Sequence, residues 1–338
     1  MKHYTQYLKQ YAVLLLIVPL MAIGTACSDD DDDDPVTPTQ SEADMLIAEL
    51  ESANGDYLNT SCPAIVTAQM VYEDVTGSQD WLIIDIRAES AYTMGHVPGA
   101  VNVARGDVLS YVENNDGMSY DHIVIICYTG QSAAWTTALL RLSGYTNAYS
   151  MKFGMSSWHS DFDSITSKVS SDKAGDFVTT AAPAKPALGE LPNITTGKTT
   201  GAEILADRIA AVYADDYGAA ATDAATVFAS PDQFFIINYW PMSDYTGIGH
   251  IPGAYQFTPK NDLKLTEYLK SLPTDKTIVV YCYTGQTSAN VAAILRVMGY
   301  DAKSLSLGTQ GMIYQSMVNA GKTAYNVDND CMEFAYEQ

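Results

Sequence analysis

The sequence predicts an α/β protein made of two copies of one domain, each a mainly parallel sheet flanked by helices. Three observations predict it. The chain has 338 residues, enough for two cores of ordinary domain size. Two long stretches superpose at a nearly constant offset: Cys127 and Cys282 are 155 positions apart, His96 and His250 are 154 apart. Within each copy, short unbroken runs of branched apolar residues, 123–126 and 278–281, alternate with helical patterns. Such runs suit strands buried on both faces of a parallel sheet.

From the N-terminus, Lys2 and Lys9 precede an apolar run over 12–26 that ends at Cys27. The run is short and is followed by acid rather than a stop-transfer cluster, so residues 1–26 read as a signal peptide, not a stable span. The small residues Gly24, Thr25 and Ala26 before Cys27 resemble a bacterial lipoprotein signal, in which the cysteine is acylated; Gly24 stands where a Leu is usual. Ser28 and the six aspartates Asp29–Asp34 follow, an acidic block similar to surface-export signals of some Gram-negative lipoproteins. A run of like charge cannot collapse, so residues 27–44 read as a solvated tether and not as a metal site. The expectation is an exported, lipid-anchored outer-membrane protein, at the cell surface or facing the periplasm.

The first domain is expected over 45–163, with a helix near 45–51, and the second over 201–338, opened by an amphipathic helix over 202–213. Between them, 164–200 is rich in Ser, Thr, Ala, Lys and Pro, including Pro183, Pro186 and Pro192, and reads as a linker that packs in part. The repeated motifs run in the same order in both domains. WLIIDIR over Trp81–Arg87 matches FFIINYW over 234–240, GHVPGA over 95–100 matches GHIPGA over 249–254, and CYTGQS over 127–132 matches CYTGQT over 282–287. Helical patterns follow, with Ala134, Ala138, Leu139 and Leu142 in one copy and Val291, Ala292, Leu295 and Met298 in the other. They stop near Gly144–Tyr145 and Gly299–Tyr300.

A loop that leaves a strand and enters a helix turns its backbone N–H groups inward, and with the helix dipole they favour negative charge. A cysteine at its first position is pushed toward thiolate. Gly130 and Gly285 permit the tight curvature, and Ser132 and Thr287 offer a hydroxyl to a bound anion or cap the helix. Ligands of parallel sheets sit at the carboxyl ends of strands, where both cysteines fall.

These motifs resemble the rhodanese family, whose active loop begins with Cys after a buried strand and spans six residues to a Ser, Thr or Arg. Asp85 with Arg87, the GHVPGA turn, Gly144–Tyr145 and Gly154 also look like that family, and the resemblance covers nearly all of both repeats. It implies sulfurtransferase chemistry: a thiolate takes a sulfane sulfur from thiosulfate, 3-mercaptopyruvate or a related donor, stores it as a persulfide and passes it to cyanide or a thiol. The persulfide would form on Cys127 and Cys282, with the anion cradle in Tyr128, Thr129, Gly130, Gln131 and Ser132 and in Tyr283, Thr284, Gly285, Gln286 and Thr287. No cofactor beyond the persulfide is implied, and a thioredoxin-like protein is a candidate acceptor. Related phosphatases carry a loop one residue longer, closed by an Arg that clamps phosphate. Ala133 and Ser288 stand in that place, which argues against phosphatase or arsenate reductase activity.

Neither loop carries Lys or Arg, and the first motif is eroded in the second copy, where Asn238 and Trp240 replace Asp85 and Arg87. If one site dominates, that difference favours Cys127. His96 and His250 could be bases paired with the cysteines, but the adjoining Pro-Gly makes a structural turn the better reading. Arg87 could orient a donor anion or pair with Asp85, Glu89 or a loop carbonyl. Cys62 and Cys331, near the two ends of the folded region, would staple the termini as a disulfide in an oxidising compartment, or else are ordinary thiols; the disulfide is favoured. The net charge of −22, still −16 without the six aspartates, argues against nucleic acid as a partner. The alternative function is a non-catalytic protein that uses the same fold to bind anions or a partner.

Overall fold

The computed structural model describes residues 40–52 and 55–338; the expected signal peptide, Cys27 and the acidic block lie outside them. It holds two five-stranded sheets whose paired strands all run parallel. In the first repeat the strands are β1 (Ile65–Val66), β2 (Leu82–Asp85), β3 (Val101–Asn102), β4 (Ile123–Ile126) and β5 (Ala148–Met151), in spatial order β1-β5-β4-β2-β3. In the second they are β6 (Ala221–Thr222), β7 (Phe234–Asn238), β8 (Tyr255–Gln256), β9 (Thr277–Tyr281) and β10 (Ala302–Leu305), in the matching order β6-β10-β9-β7-β8. The expected apolar runs are the central strands β4 and β9. All four residues of β4 are buried, as are the last four of β9. The fold is the predicted one.

The helix after each central strand, Gln131–Leu142 in the first repeat and Gln286–Val297 in the second, is buried almost all round. Only Ser132 is open in the first, and only Thr287 and Arg296 in the second. A helix with no polar face must be covered on every side, and here each covers the other. Ala134, Ala138 and Leu139 share one core with Ala289, Ala292 and Leu295. Helices Glu42–Ser52 and Gly201–Ala214 pack together over the same core with Leu46, Ile47, Ile204 and Ile209. The first begins at Glu42, inside the stretch expected to be tether: Asp44 N donates to Ser41 Oγ at 3.1 Å, capping it, and its apolar side turns inward. The second is opened by Thr200, whose Oγ1 accepts from Glu203 N at 3.3 Å and donates to the Glu203 carboxylate at 2.8 Å, capping the helix.

Two segments cross between the repeats. After β5 the chain runs onto the second repeat, where Ser170 N donates to Gln310 O, Lys173 N to Met312 O, and Val178 pairs antiparallel with His250. The expected linker is therefore stitched along its neighbour as far as Gly189, whose N–H reaches Lys270 O at 2.7 Å. In return, the end of the chain lies on the first repeat: Glu337 pairs antiparallel with His96, Phe334 stacks on Tyr72 at 4.0 Å, and Trp158 Nε1 donates to Ala335 O at 3.0 Å. The two arms meet equivalent turns, 95–100 and 249–254. This exchange is not legible in the sequence, because the arms have no motif of their own.

The two cysteine loops are themselves joined by their glutamines. Gln131 Oε1 accepts from Leu307 N at 2.7 Å, and Gln286 Oε1 accepts from Phe153 N at 3.0 Å, each reaching into the other repeat. Leaving a buried N–H without its acceptor costs about 1–3 kcal/mol. Gln131→Ala and Gln286→Ala are each expected to lower unfolding stability by about that amount in urea, within one cooperative transition for the whole molecule. Two separated transitions would show that the repeats unfold independently.

Candidate active site

Cys127 and Cys282 are the residues immediately after β4 and β9, at the carboxyl ends of the central strands. The loop that follows each curls round the sulfur. Cys127 Sγ accepts from Gly130 N at 3.1 Å and Ala133 N at 3.4 Å. Cys282 Sγ accepts from Gly285 N at 3.2 Å and Ser288 N at 3.3 Å, and meets Ser288 Oγ at 3.5 Å. The curl requires a left-handed residue in its middle: Gly130 has φ 82° and Gly285 φ 86°. A Cβ on either would also run into the other repeat's loop glutamine. Behind the loops, the carbonyls of Cys127 and Cys282 are tied by Met155 N and Thr309 N at 2.8 and 3.0 Å. Each sulfur thus sits at the N-terminal end of a buried helix with two backbone donors aimed at it, an arrangement that stabilises negative charge.

The loop residues expected to cradle an anion differ in what their side chains do. Gln131 and Gln286 turn away from their own sulfur to the opposite repeat, and Gln131 Nε2 is further held by Thr129 Oγ1 at 3.0 Å. Their side chains are joints, not anion ligands. Ser132 and Thr287 keep their place at the mouth as open residues of otherwise buried helix starts. Tyr128 is 43% exposed beside its cysteine.

Around the loops the two repeats differ. Arg87 is buried and forks onto both Asp85 oxygens at 2.7–3.0 Å, with Nη2 also donating to Gly95 O at 2.6 Å. Its charge is matched inside the protein, so of the two roles expected for it the ion pair is the one adopted. Its guanidinium lies 5.7 Å from the Tyr128 ring centre. In the second repeat Trp240 stacks on Tyr283 at 4.8 Å, and the Tyr283 hydroxyl donates to Asp244, which also pairs with Lys322 at 2.8 Å. Burial works against the Asp244 charge, but the bonds from Lys322 and Tyr283 outweigh it and hold the carboxyl below its ordinary range.

The histidines are not aimed at the sulfurs. His96 Nδ1 is 3.0 Å from Tyr92 O and the ring stacks on Tyr92 at 3.7 Å; His250 repeats this with Tyr245 at 3.0 and 3.5 Å. Burial lowers the pKa of His250 from its ordinary value.

The expected Cys62–Cys331 disulfide does not form, and all four described cysteines are free. Cys62 is sealed in the core shared by the repeats, where burial pushes its thiol up to about 12. Cys331 sits in the returning arm with Sγ 3.4 Å from Glu333 Oε1, and burial first, then that carboxylate, push it up to about 11. The returning arm is held instead by Tyr72, His96 and Trp158 of the first repeat. Brief exposure to iodoacetamide at pH 8, mapped by peptide mass, is expected to label Cys127 and Cys282 before Cys331 and to leave Cys62 unmodified, because the thiolate is the nucleophile. Early label on Cys331 would contradict this ordering.

The Rhodanese-like domain model matches residues 67–161 and 229–313, once in each repeat. A thiosulfate sulfurtransferase GlpE from Pseudomonas entomophila is 30% identical over 87 residues, covering 26% of this chain and 78% of the relative. Another, from Pseudoalteromonas translucida, is 27% identical over 90 residues, covering 26% and 83%. Among solved structures, a rhodanese-like domain protein from Staphylococcus aureus is 19% identical over 27% of this chain and 87% of its own, with a TM-score of 0.24. A thiosulfate sulfurtransferase from Pseudomonas aeruginosa is 16% identical over 88% and 48%, with a TM-score of 0.28.

Proposed function

The chain belongs to the rhodanese-like domain family, with the domain present twice, and on that premise we propose that it is a sulfurtransferase working through persulfides on Cys127 and Cys282. The observation that carries the proposal is the same in both repeats: a cysteine at the end of the central strand with two backbone N–H donors on its sulfur. The thiolate attacks the outer sulfur of thiosulfate, the S–S bond of the donor breaks, and sulfite leaves with the bonding pair. The Cys–S–S⁻ so formed takes the mouth of the loop, where Ser132 or Thr287 is open to it. Attack by cyanide or an acceptor thiolate on the outer sulfur then breaks the persulfide bond and returns the cysteine as thiolate. No external oxidant or reductant enters either step, and no side-chain base is needed, since the backbone donors hold the anionic sulfur.

Relatives named thiosulfate sulfurtransferase support thiosulfate as a donor. The N-terminal signal and Cys27 support export and acylation, which would set the acceptor as an envelope thiol, small or on a thioredoxin-like protein. Acylation is tested by metabolic labelling with a fatty acid: label is expected on the wild type and absent from Cys27→Ser, and label persisting in that variant would refute the anchor.

Thiocyanate formation from thiosulfate and cyanide tests the activity. The Cys127→Ser, Cys282→Ser double variant is expected to fall to the uncatalysed rate, a loss of about 10³-fold or more, while at least one single variant retains turnover. Equal rates in the wild type and double variant would replace this reading with a binding protein.

A further inference from the structure

A cavity of about 230 Å³ opens beside Cys282, lined by Tyr283, Thr284, Thr287 and Thr323 of the second repeat and by Lys152 of the first. The Cys282 loop itself contributes no cation, and Lys152 comes from the other copy of the domain. Its position is fixed by the joint between the repeats. Lys152 directly follows β5, its N–H donates to Val66 O at 2.8 Å, and the next residue, Phe153, donates its N–H to Gln286 of the Cys282 loop. The loop that holds the sulfur thus grips the backbone next to the lysine.

The same joint on the other side is made by Gln131 with Leu307 N, and the residue before Leu307 is Ser306. Lys152 and Ser306 therefore occupy equivalent positions, and the position that is a lysine beside Cys282 is a serine in the other repeat. The Asp85–Arg87 pair does not offset this at Cys127, because the Arg87 charge is paired with Asp85 and its Nη2 is taken up by Asp85 and Gly95.

We propose that Lys152 supplies, in trans, the positive charge that draws a small anionic sulfur donor to Cys282, making Cys282 rather than Cys127 the loading site for anions such as thiosulfate. The donor's identity rests on the sulfurtransferase reading; the anion preference does not. The lining sets Lys152 with Thr284, Thr287 and Thr323, an ammonium and three hydroxyl-bearing side chains, a donor set suited to a sulfonate or carboxylate. Lys152 Nζ is 3.3 Å from Asp330 Oδ1 and 4.6 Å from the centre of the Phe153 ring. The entering anion competes with one carboxylate, so Asp330 sets how strongly the site attracts it. Lys152 is a positioning residue for the donor, with no bond to make or break.

The test compares iodoacetate with iodoacetamide at Cys282 in the full chain carrying Cys127→Ser, since the two reagents differ in charge and share one chemistry. Lys152→Gln is expected to lower the iodoacetate-to-iodoacetamide rate ratio about fivefold or more, Lys152→Arg to restore it, and Asp330→Asn to raise it. A merely structural effect would change both reagents together. An unchanged ratio in Lys152→Gln overturns the inference. Mass analysis after thiosulfate separates the two readings: if no sulfur adds to the wild type while the ratio still follows Lys152, the sulfurtransferase reading fails and the anion site stands.

Discussion

Each cysteine loop has to close twice, once round its own sulfur and once against the other repeat. The exchange of Gln131 and Gln286 is where the two closures meet. Gly130 and Gly285 serve both at once: their left-handed backbone aims an N–H at the sulfur, and the missing Cβ leaves room for the opposing glutamine. Once the loops are fastened in this way, the helices behind them have no exposed side to keep polar, which accounts for their Ala-rich, almost wholly buried surfaces. The crossing arms then complete what the joint begins, each pairing with the turn before the other repeat's third strand.

On this symmetric frame the two sites have diverged. In the first repeat a buried Arg87–Asp85 pair supports the turn at Gly95 and leaves Tyr128 exposed at the mouth. A buried pair of this kind is costly to break and adds little net attraction for an outside anion. In the second repeat the pair is gone, and Trp240, Tyr283, Asp244 and Lys322 form a stacked and hydrogen-bonded wall instead. The loss of the Asp-x-Arg motif is a substitution of one support for another, so it does not by itself mark Cys282 as the weaker site. The cation at position 152 points the other way.

Much of this was legible in the sequence. The repeat gave the fold, because the central strands are unbroken apolar runs and the loops recur at one offset, and the Pro-Gly beside His96 and His250 identified them as turn residues. The roles of Gln131 and Gln286 were not legible: a polar residue in a glycine-containing loop after a cysteine reads as a ligand unless the opposing loop is known. Lys152 was hidden for a related reason, since it lies far from Cys282 in sequence and lacks a motif. Laying Ser306 under Lys152 in the repeat alignment would have exposed the difference. The disulfide between Cys62 and Cys331 was inferred from compartment and position, and neither reveals that one thiol lies inside the shared core while the other lies in the returning arm.

The proposed chemistry requires that Cys127 and Cys282, and no other cysteine, carry sulfur. Intact-mass analysis of the reduced soluble protein after thiosulfate or 3-mercaptopyruvate, followed by peptide mapping, addresses it directly. A gain of about 32 Da per loaded thiol is expected, found only in the peptides of Cys127 and Cys282. No adduct from either donor on protein with reduced loop thiols, or sulfur found on Cys62 or Cys331, would contradict it.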